Sequence, residues 1–242
     1  RSLLAIDLDR FKEVNDLHGH AAGDHVLRVL AERMRGALRE GEFLGRLGGD
    51  EFIVVIGDTS LPESVSHVCH RILNSLRQHF AEPKVEVVTG SVGISQFPED
   101  GADAETLLKH ADIAMYESKR RSRNTISFFT ADMTHKMMRR LELESDLRRS
   151  IDNGELDVYY QPKADITAGD IYGTEALLRW RHPTRGMVPP DEFIPLAEEI
   201  GLIRTIGAWV LRRACTDAAA ALARVGDALS RHPASRERKF RG

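Results

Sequence analysis

The chain has 242 residues, 42% of them hydrophobic and 29% charged, with a net charge of −3, the balance of an ordinary globular protein with room for one large domain or two small ones. So mild a charge excludes a whole-chain electrostatic case for nucleic-acid or membrane binding and confines any polyanion site to a local feature. The two cysteines, Cys69 and Cys215, are too sparse and too distant for a disulfide framework or a thiolate metal site, no apolar run approaches the roughly 20 residues of a bilayer span, and no secretory leader is present, so a cytoplasmic setting is expected.

In chain order, Leu3 to Ile6 is a continuous apolar run of the kind found in strands covered on both faces, and an acidic loop follows. Val26, Leu27, Leu30, Met34 and Leu38 then recur at helical spacing. Phe43-Leu44 and Phe52 to Ile56 flank Gly48-Gly49-Asp50-Glu51, which predicts a hairpin, because glycine pairs reach positive φ cheaply. Leu61, Val65, Val68, Ile72 and Leu76 mark a second helix, Val85 to Thr89 and Ser91 to Ser95 two strands, Ala104 to Lys119 a third helix, and Thr125 to Phe129 a closing strand. The alternation predicts a mixed α/β (α+β) domain over residues 1–130.

Residues 131–153 are densely charged, yet Met133, Met137, Leu141, Leu147 and Ile151 keep a helical stripe, which predicts a connecting helix. Over 154–223 the pattern gives a strand at Leu156 to Pro162, a strand at Ile171 to Trp180, a Pro-rich loop from Pro183 to Pro190, a helix over Glu192 to Ile200 capped by Asp191, and a helix over Ile203 to Ala223. Residues 224–242 hold six basic side chains against two acidic ones with little periodic apolar content, and are expected to be disordered.

The hairpin acquires meaning from what precedes it. Asp7-Leu8-Asp9-Arg10-Phe11-Lys12 follows the first strand, then come Asn15-Asp16, Gly19-His20 and Gly23-Asp24. With Gly48-Gly49-Asp50-Glu51-Phe52 and the later Lys119 and Arg123, this ordered set resembles the GGDEF family of diguanylate cyclases. Taken singly, each acidic residue has a plainer reading as turn former, cap or solvated surface. Their order and spacing carry the resemblance.

The resemblance implies a palm-like, nucleotidyl-cyclase-like fold that condenses two GTP into cyclic di-GMP. It places a divalent cation, Mg²⁺ or Mn²⁺, on Asp7, the main-chain carbonyl of Leu8 and Glu51, a donor set that suits a hard cation. Asp50 and Glu51 become the catalytic pair, with Asp50 helping to hold the metal or to deprotonate a ribose 3′-hydroxyl. Asn15 and Asp24 fall at the guanine-contacting positions, and a carboxylate can accept from the N1 and N2 hydrogens of guanine. Phe11 and Lys12 complete the phosphate loop. Lys119 and Arg123, four apart and expected on one face of a helix end, would hold the triphosphate. Each monomer would present one GTP, so a homodimer is implied.

Arg39 and Glu42 stand where many relatives carry the Arg-x-x-Asp motif of product inhibition. The extra methylene of Glu42 is expected to weaken that inhibition, with an ordinary ion pair as the plain alternative. The chain opens on Arg1, directly before a strand pattern, whereas the family has a preceding helix and loop. An upstream sensor, a membrane-anchored parent and some exposed apolar surface are therefore expected.

A second constellation follows. Tyr160-Gln161-Pro162, Glu175-Ala176-Leu177 with Arg179-Trp180, and Pro190 to Glu198 resemble the opening of the EAL family of cyclic di-GMP phosphodiesterases, which are TIM-like barrels. By that resemblance Glu175 would be a metal ligand, and Gln161 and Arg179 would contact substrate. A barrel of about 250 residues cannot be completed here, so phosphodiesterase activity is not expected. The alternative to a working cyclase is a silent GTP- or cyclic di-GMP-binding regulatory module from a GGDEF–EAL parent. His67 and His70 lack a third ligand nearby and read as a solvated helix face, and the basic tail lacks the aromatics of a nucleic-acid site.

Overall fold

The computed structural model describes residues 1–57, 62–80, 85, 87–167 and 169–231, and the chain divides into two compact units, Arg1–Met138 and Arg139–Gly242.

In the first unit, β1 (Ser2–Leu8) leads into two short-linked helices, α1 (Phe11–His18) and α2 (His20–Ala37). The hairpin of β2 (Phe43–Gly48) and β3 (Glu51–Ile56) comes next, then α3 (Pro62–Leu76), β4 (Gly90–Gln96), α4 (Ala104–Arg121) and β5 (Ile126–Phe128). The sheet order is β2-β3-β1-β4-β5, with β1 antiparallel to both neighbours and β4 parallel to β5. This is the mixed α/β architecture expected of residues 1–130.

Strand parity decides what each face of the sheet carries, since successive side chains point to opposite sides. Leu4, Ile6 and Leu8 of β1 join Phe52, Val54 and Ile56 of β3 in the main core, packed on Val26, Leu30 and Met34 of α2 and Val65, Ile72 and Leu76 of α3. The alternate residues, Leu3 and Ala5, meet Ala111 and Met115 of α4 on the opposite face. Asp7 has the parity of Leu3 and Ala5, so it belongs to the α4 face. Helix α4 lies very close to the sheet at Gly93, where a Cβ would stand 2.0 Å from the Ala111 carbonyl oxygen and 2.1 Å from the Met115 nitrogen. The side chain of Asp103 caps that helix, accepting from the Thr106 amide at 2.8 Å.

Several expectations need correction. The acidic loop after β1 is helical from Phe11, once Arg10 turns the chain in a left-handed conformation (φ 57°). Val85 and residues 87–89 form no strand. Val85 and Val88 are buried in the core and Thr89 is tied to Asp9, so the apolar run reflects side-chain packing without a ladder partner. Leu61 and Glu86 lie outside the described residues.

The second unit holds the rest of α5 (Ala131–Ser150), the antiparallel sheet of β6 (Leu156–Ala164), β7 (Ile171–His182) and β8 (Gly186–Val188), then α6 (Pro190–Glu199) and α7 (Ile203–Arg231). Its core gathers Leu143, Leu147, Trp180, Phe193, Leu196 and Ile206. The predicted Pro-rich loop hides β8, a three-residue strand too short for periodicity to reveal. Asp191 is not the cap of α6. Pro189 takes that position and Pro190 opens the helix, because proline already has the φ of a first turn and no N–H to satisfy. The tail expected to be disordered is helical from Arg224 to Arg231, since the alanine-rich stretch before it propagates the helix and Gly226 alone costs only about 1 kcal/mol. Residues 232–242 lie outside the described residues.

Candidate functional site

The hairpin tip and the end of β1 form one acidic edge. Gly49 takes the positive φ (52°) that the turn requires, and Glu51 sits directly opposite Asp7 in the β1–β3 register. The Leu8 amide donates to the Asp50 carbonyl at 3.3 Å, fastening the tip to β1. Leu8's side chain is core, so only its main chain can serve a ligand.

Asp7 is 7% exposed and its Oδ2 lies 2.7 Å from the Lys119 Nζ. Burial pushes the Asp7 carboxyl above its ordinary range; the Lys119 hydrogen bond and charge oppose this, while Asp50 and Glu51 add to it. Asp112, on α4, is also raised by desolvation, with the charge of Glu51 contributing. The edge therefore holds more negative charge than Lys119 neutralises. Among the described residues no three His, Cys, Asp or Glu side chains converge as a closed metal cage. Two carboxylates beside a main-chain carbonyl are nevertheless the kind of open oxygen set that Mg²⁺ uses together with phosphates.

Asp9 has a different task. Its carboxylate accepts from Thr89 Oγ1 (2.7 Å), Ser91 Oγ (2.8 Å) and the Asn124 amide (3.0 Å), clamping β4 and the turn after α4 to β1.

Four predicted nucleotide residues, Phe11, Lys12, Asn15 and Asp24, line one cavity of about 230 Å³, and Asp50 lines it too. Phe11 is buried beneath it, while Asp24 is exposed. Lys12 sits in the first turn of α1, where backbone amides lack helical acceptors and favour anions. Sequence reasoning missed Arg46, which lines the same cavity and donates from Nε (3.0 Å) and Nη2 (2.7 Å) to the Gly49 carbonyl, bracing the turn. Its signal was an arginine on the strand entering the glycine pair.

Lys119 and Arg123 do not share a helix face. Helix α4 ends at Arg121, where the Ser118 carbonyl accepts from both Ser122 (3.4 Å) and Arg123 (3.2 Å), and Arg123 and Asn124 then turn left-handed (φ 50° and 48°). Arg123 lines a separate cavity of about 580 Å³ beside Arg10 and Asn124. Glu42 accepts from the Arg39 amide (2.7 Å) and from Arg71 Nη2 (3.3 Å), so its carboxylate takes part in an ion pair within the fold. His67 and His70 are exposed, and burial pushes the Cys69 thiol up to about 12.

In the second unit Gln161 lies opposite Glu175 in the β6–β7 register, and Glu175 is paired with Lys163 at 3.1 Å. Arg179 donates to the Leu178 carbonyl (2.8 Å) and stacks over Tyr159, its guanidinium carbon 5.5 Å from the ring centre. No helix among the described residues is long and apolar enough to cross a membrane.

The family described as "Diguanylate cyclase, GGDEF domain" matches residues 1–125, and the EAL domain family matches residues 144–233. An uncharacterised signalling protein of Caulobacter vibrioides is 47% identical over 221 residues, covering 90% of this chain and 27% of that protein. The cyclic di-GMP phosphodiesterase NbdA of Pseudomonas aeruginosa is 39% identical over 221 residues, covering 89% of this chain and 28% of its own length. The chain thus spans little more than a quarter of these relatives. Among solved structures, a form of Pseudomonas aeruginosa TpbB (YfiN) comprising only the GGDEF domain matches with a TM-score of 0.54 and 35% identity, over 57% of this chain and 81% of that one. The chain belongs to the GGDEF family, with a partial EAL domain following its GGDEF domain.

Proposed function

We propose that the GGDEF domain is a diguanylate cyclase that condenses two GTP molecules into cyclic di-GMP. The observation that carries this reading is the pairing of Asp7 with Glu51 across two antiparallel strands, beside a cavity shared by Asn15, Asp24 and Asp50. Asp24 and Asn15 would bind the guanine edge, and Lys12, Lys119 and Arg123 the phosphates. Asp50, at the junction of cavity and acidic edge, would accept the proton of the ribose 3′-hydroxyl as its oxygen attacks the α-phosphate of the second GTP and pyrophosphate leaves. A divalent cation, Mg²⁺ or Mn²⁺, held by Asp7, the Leu8 carbonyl and Glu51, would neutralise charge developing on the phosphates. One such site offers one GTP, so two copies must face each other. Arg39 and Glu42 would form at most a weak product site, because Glu42 already serves Arg71.

The domain limits we propose are 1–130 for the cyclase, 131–153 for the connecting helix and 154–223 for the EAL fragment. Within that segment Gln161, Glu175 and Arg179 would belong to the substrate- and metal-facing set of an EAL domain, with Glu175 paired to Lys163. The test is chromatography of product from the chain incubated with Mg²⁺ and GTP, beside an Asp50→Ala, Glu51→Ala double variant. Cyclic di-GMP from the parent alone supports the cyclase.

One observation favours a second reading. A relative as similar as NbdA is named a phosphodiesterase. A GGDEF domain that binds GTP and regulates its EAL neighbour without turnover would show calorimetric GTP binding and no product.

A further inference from the structure

Gly23 is the fourth residue of α2 and is buried, directly opposite Asn15 on α1. A Cβ at this position would stand 1.9 Å from Asn15 Oδ1, 3.0 Å from Asn15 Cγ and 3.4 Å from the Phe11 ring. The backbone does not account for the glycine. Its φ lies outside the left-handed region, its amide makes an ordinary helical bond to the Gly19 carbonyl at 3.1 Å, and glycine is less favourable inside a helix than alanine. Space is what demands it.

We infer that Gly23 is a positioning residue for base recognition: its missing side chain is the slot in which the Asn15 amide rests, fixed toward the cavity it shares with Asp24. The inference rests on the nucleotide-binding reading given above. A side chain on residue 23 cannot coexist with Asn15 as placed. The Asn15 amide, at the far end of two rotatable bonds, yields more easily than the two helix backbones, and it swings out of the plane in which a purine edge would meet it. The adjacent Asp24 carboxylate stays, so recognition is degraded on one side only. Hypoxanthine lacks the 2-amino group of guanine; Asp24 takes only one of that group's two hydrogens and leaves the other for Asn15 Oδ1, so loss of part of the preference for guanine over hypoxanthine accompanies the loss of affinity.

The experiment compares the full chain with Gly23→Ala, Asn15→Ala and the double variant. Calorimetry with GTP and with ITP is joined to thermal melting and to the side-chain amide resonance of Asn15, assigned by its loss in Asn15→Ala. We expect each single variant to bind GTP at least tenfold more weakly, the double variant to be no weaker than the poorer single one, the GTP-over-ITP preference to shrink, and Gly23→Ala to melt no lower than the parent. Equal GTP binding by parent and Gly23→Ala overturns the inference and leaves the nucleotide reading intact, as does a double variant that multiplies the two losses. A parent that binds no GTP overturns the nucleotide reading instead. The resonance then decides the positioning role: displaced in Gly23→Ala it upholds the slot, and unmoved it overturns it.

Discussion

The Lys119 ammonium lies 2.7 Å from Asp7 Oδ2 and is the counter-ion of a carboxylate that Asp50 and Glu51 also crowd. On the proposed metal reading, this lysine holds Oδ2, one of the two Asp7 oxygens that a cation could use. Removing it by Lys119→Ala leaves a buried acceptor unpaired, which costs about 1–3 kcal/mol. The variant should melt lower than the parent in the absence of metal. Mg²⁺ should then raise its melting temperature more than the parent's, because a competing cation is gone and ligand binding stabilises by mass action. Equal Mg²⁺-induced shifts in the two proteins would show that Lys119 and the cation do not compete.

Asp7 also sets a pH dependence. Its folded value lies above the ordinary 3.8, so between these two values the folded chain holds a proton that the unfolded chain has lost. Stability from this group is therefore lost as pH rises through that window. Asp7→Asn removes the penalty. The variant should unfold at higher denaturant than the parent at pH 7, with the difference shrinking as the pH falls toward 4, while cyclic di-GMP production is abolished. A stability difference that does not change between those pH values would be the contrary result.

Gly93 governs where α4, and hence Lys119, sits. A methyl group there meets the Ala111 carbonyl and the Met115 amide at about half a normal contact distance, and both are backbone atoms that cannot rotate away. Gly93→Ala should cost about 3 kcal/mol or more, at the upper end of overpacking effects. The check is urea denaturation followed by circular dichroism. Ala114→Gly on the same helix, at a buried position and adding no atom to this contact, should cost less, near the 1 kcal/mol of a helical glycine.

Local pattern revealed much of this molecule. The continuous apolar run from Leu3 to Ile6 placed a strand covered on both faces, the glycine pair placed the hairpin tip, and helical spacing found α2, α3 and α4. Four of the residues expected to bind nucleotide, Phe11, Lys12, Asn15 and Asp24, line one cavity because α1 and the start of α2 follow one another closely in the chain. What was not legible depended on tertiary contacts. Val85 to Thr89 has the composition of a strand but lacks a ladder partner, and β8 exists only because β7 pairs with it. Arg123 was expected on a helix that ends two residues before it, a C-terminus set by bifurcated bonding at Ser118 that no composition announces. Gly23 enters the sequence reading only as a member of the ordered set with Asp24, and its packing against Asn15 appears only in the structure.

His182 ties α5 to the sheet of the second unit. Its Nδ1 faces the Thr184 and Arg185 amides, at 3.2 Å and 3.3 Å, and must accept, which puts the ring proton on Nε2, 2.9 Å from Asp146 Oδ2. The ring also packs edge-on against Trp180, which is fully buried and donates from Nε1 to Glu155 at 3.0 Å. His182→Ala removes the packing and leaves two amide donors without their acceptor, a loss of about 2–4 kcal/mol. Both tryptophans of the chain, Trp180 and Trp209, lie in the second unit, so tryptophan fluorescence reports on that unit alone. The expected result is an unfolding midpoint by fluorescence well below the parent's, with GTP affinity by calorimetry unchanged because the cavity residues all belong to the first unit. An unchanged fluorescence midpoint would mean that His182 contributes no net stability, and a fall in GTP affinity would mean that the second unit supports the nucleotide site.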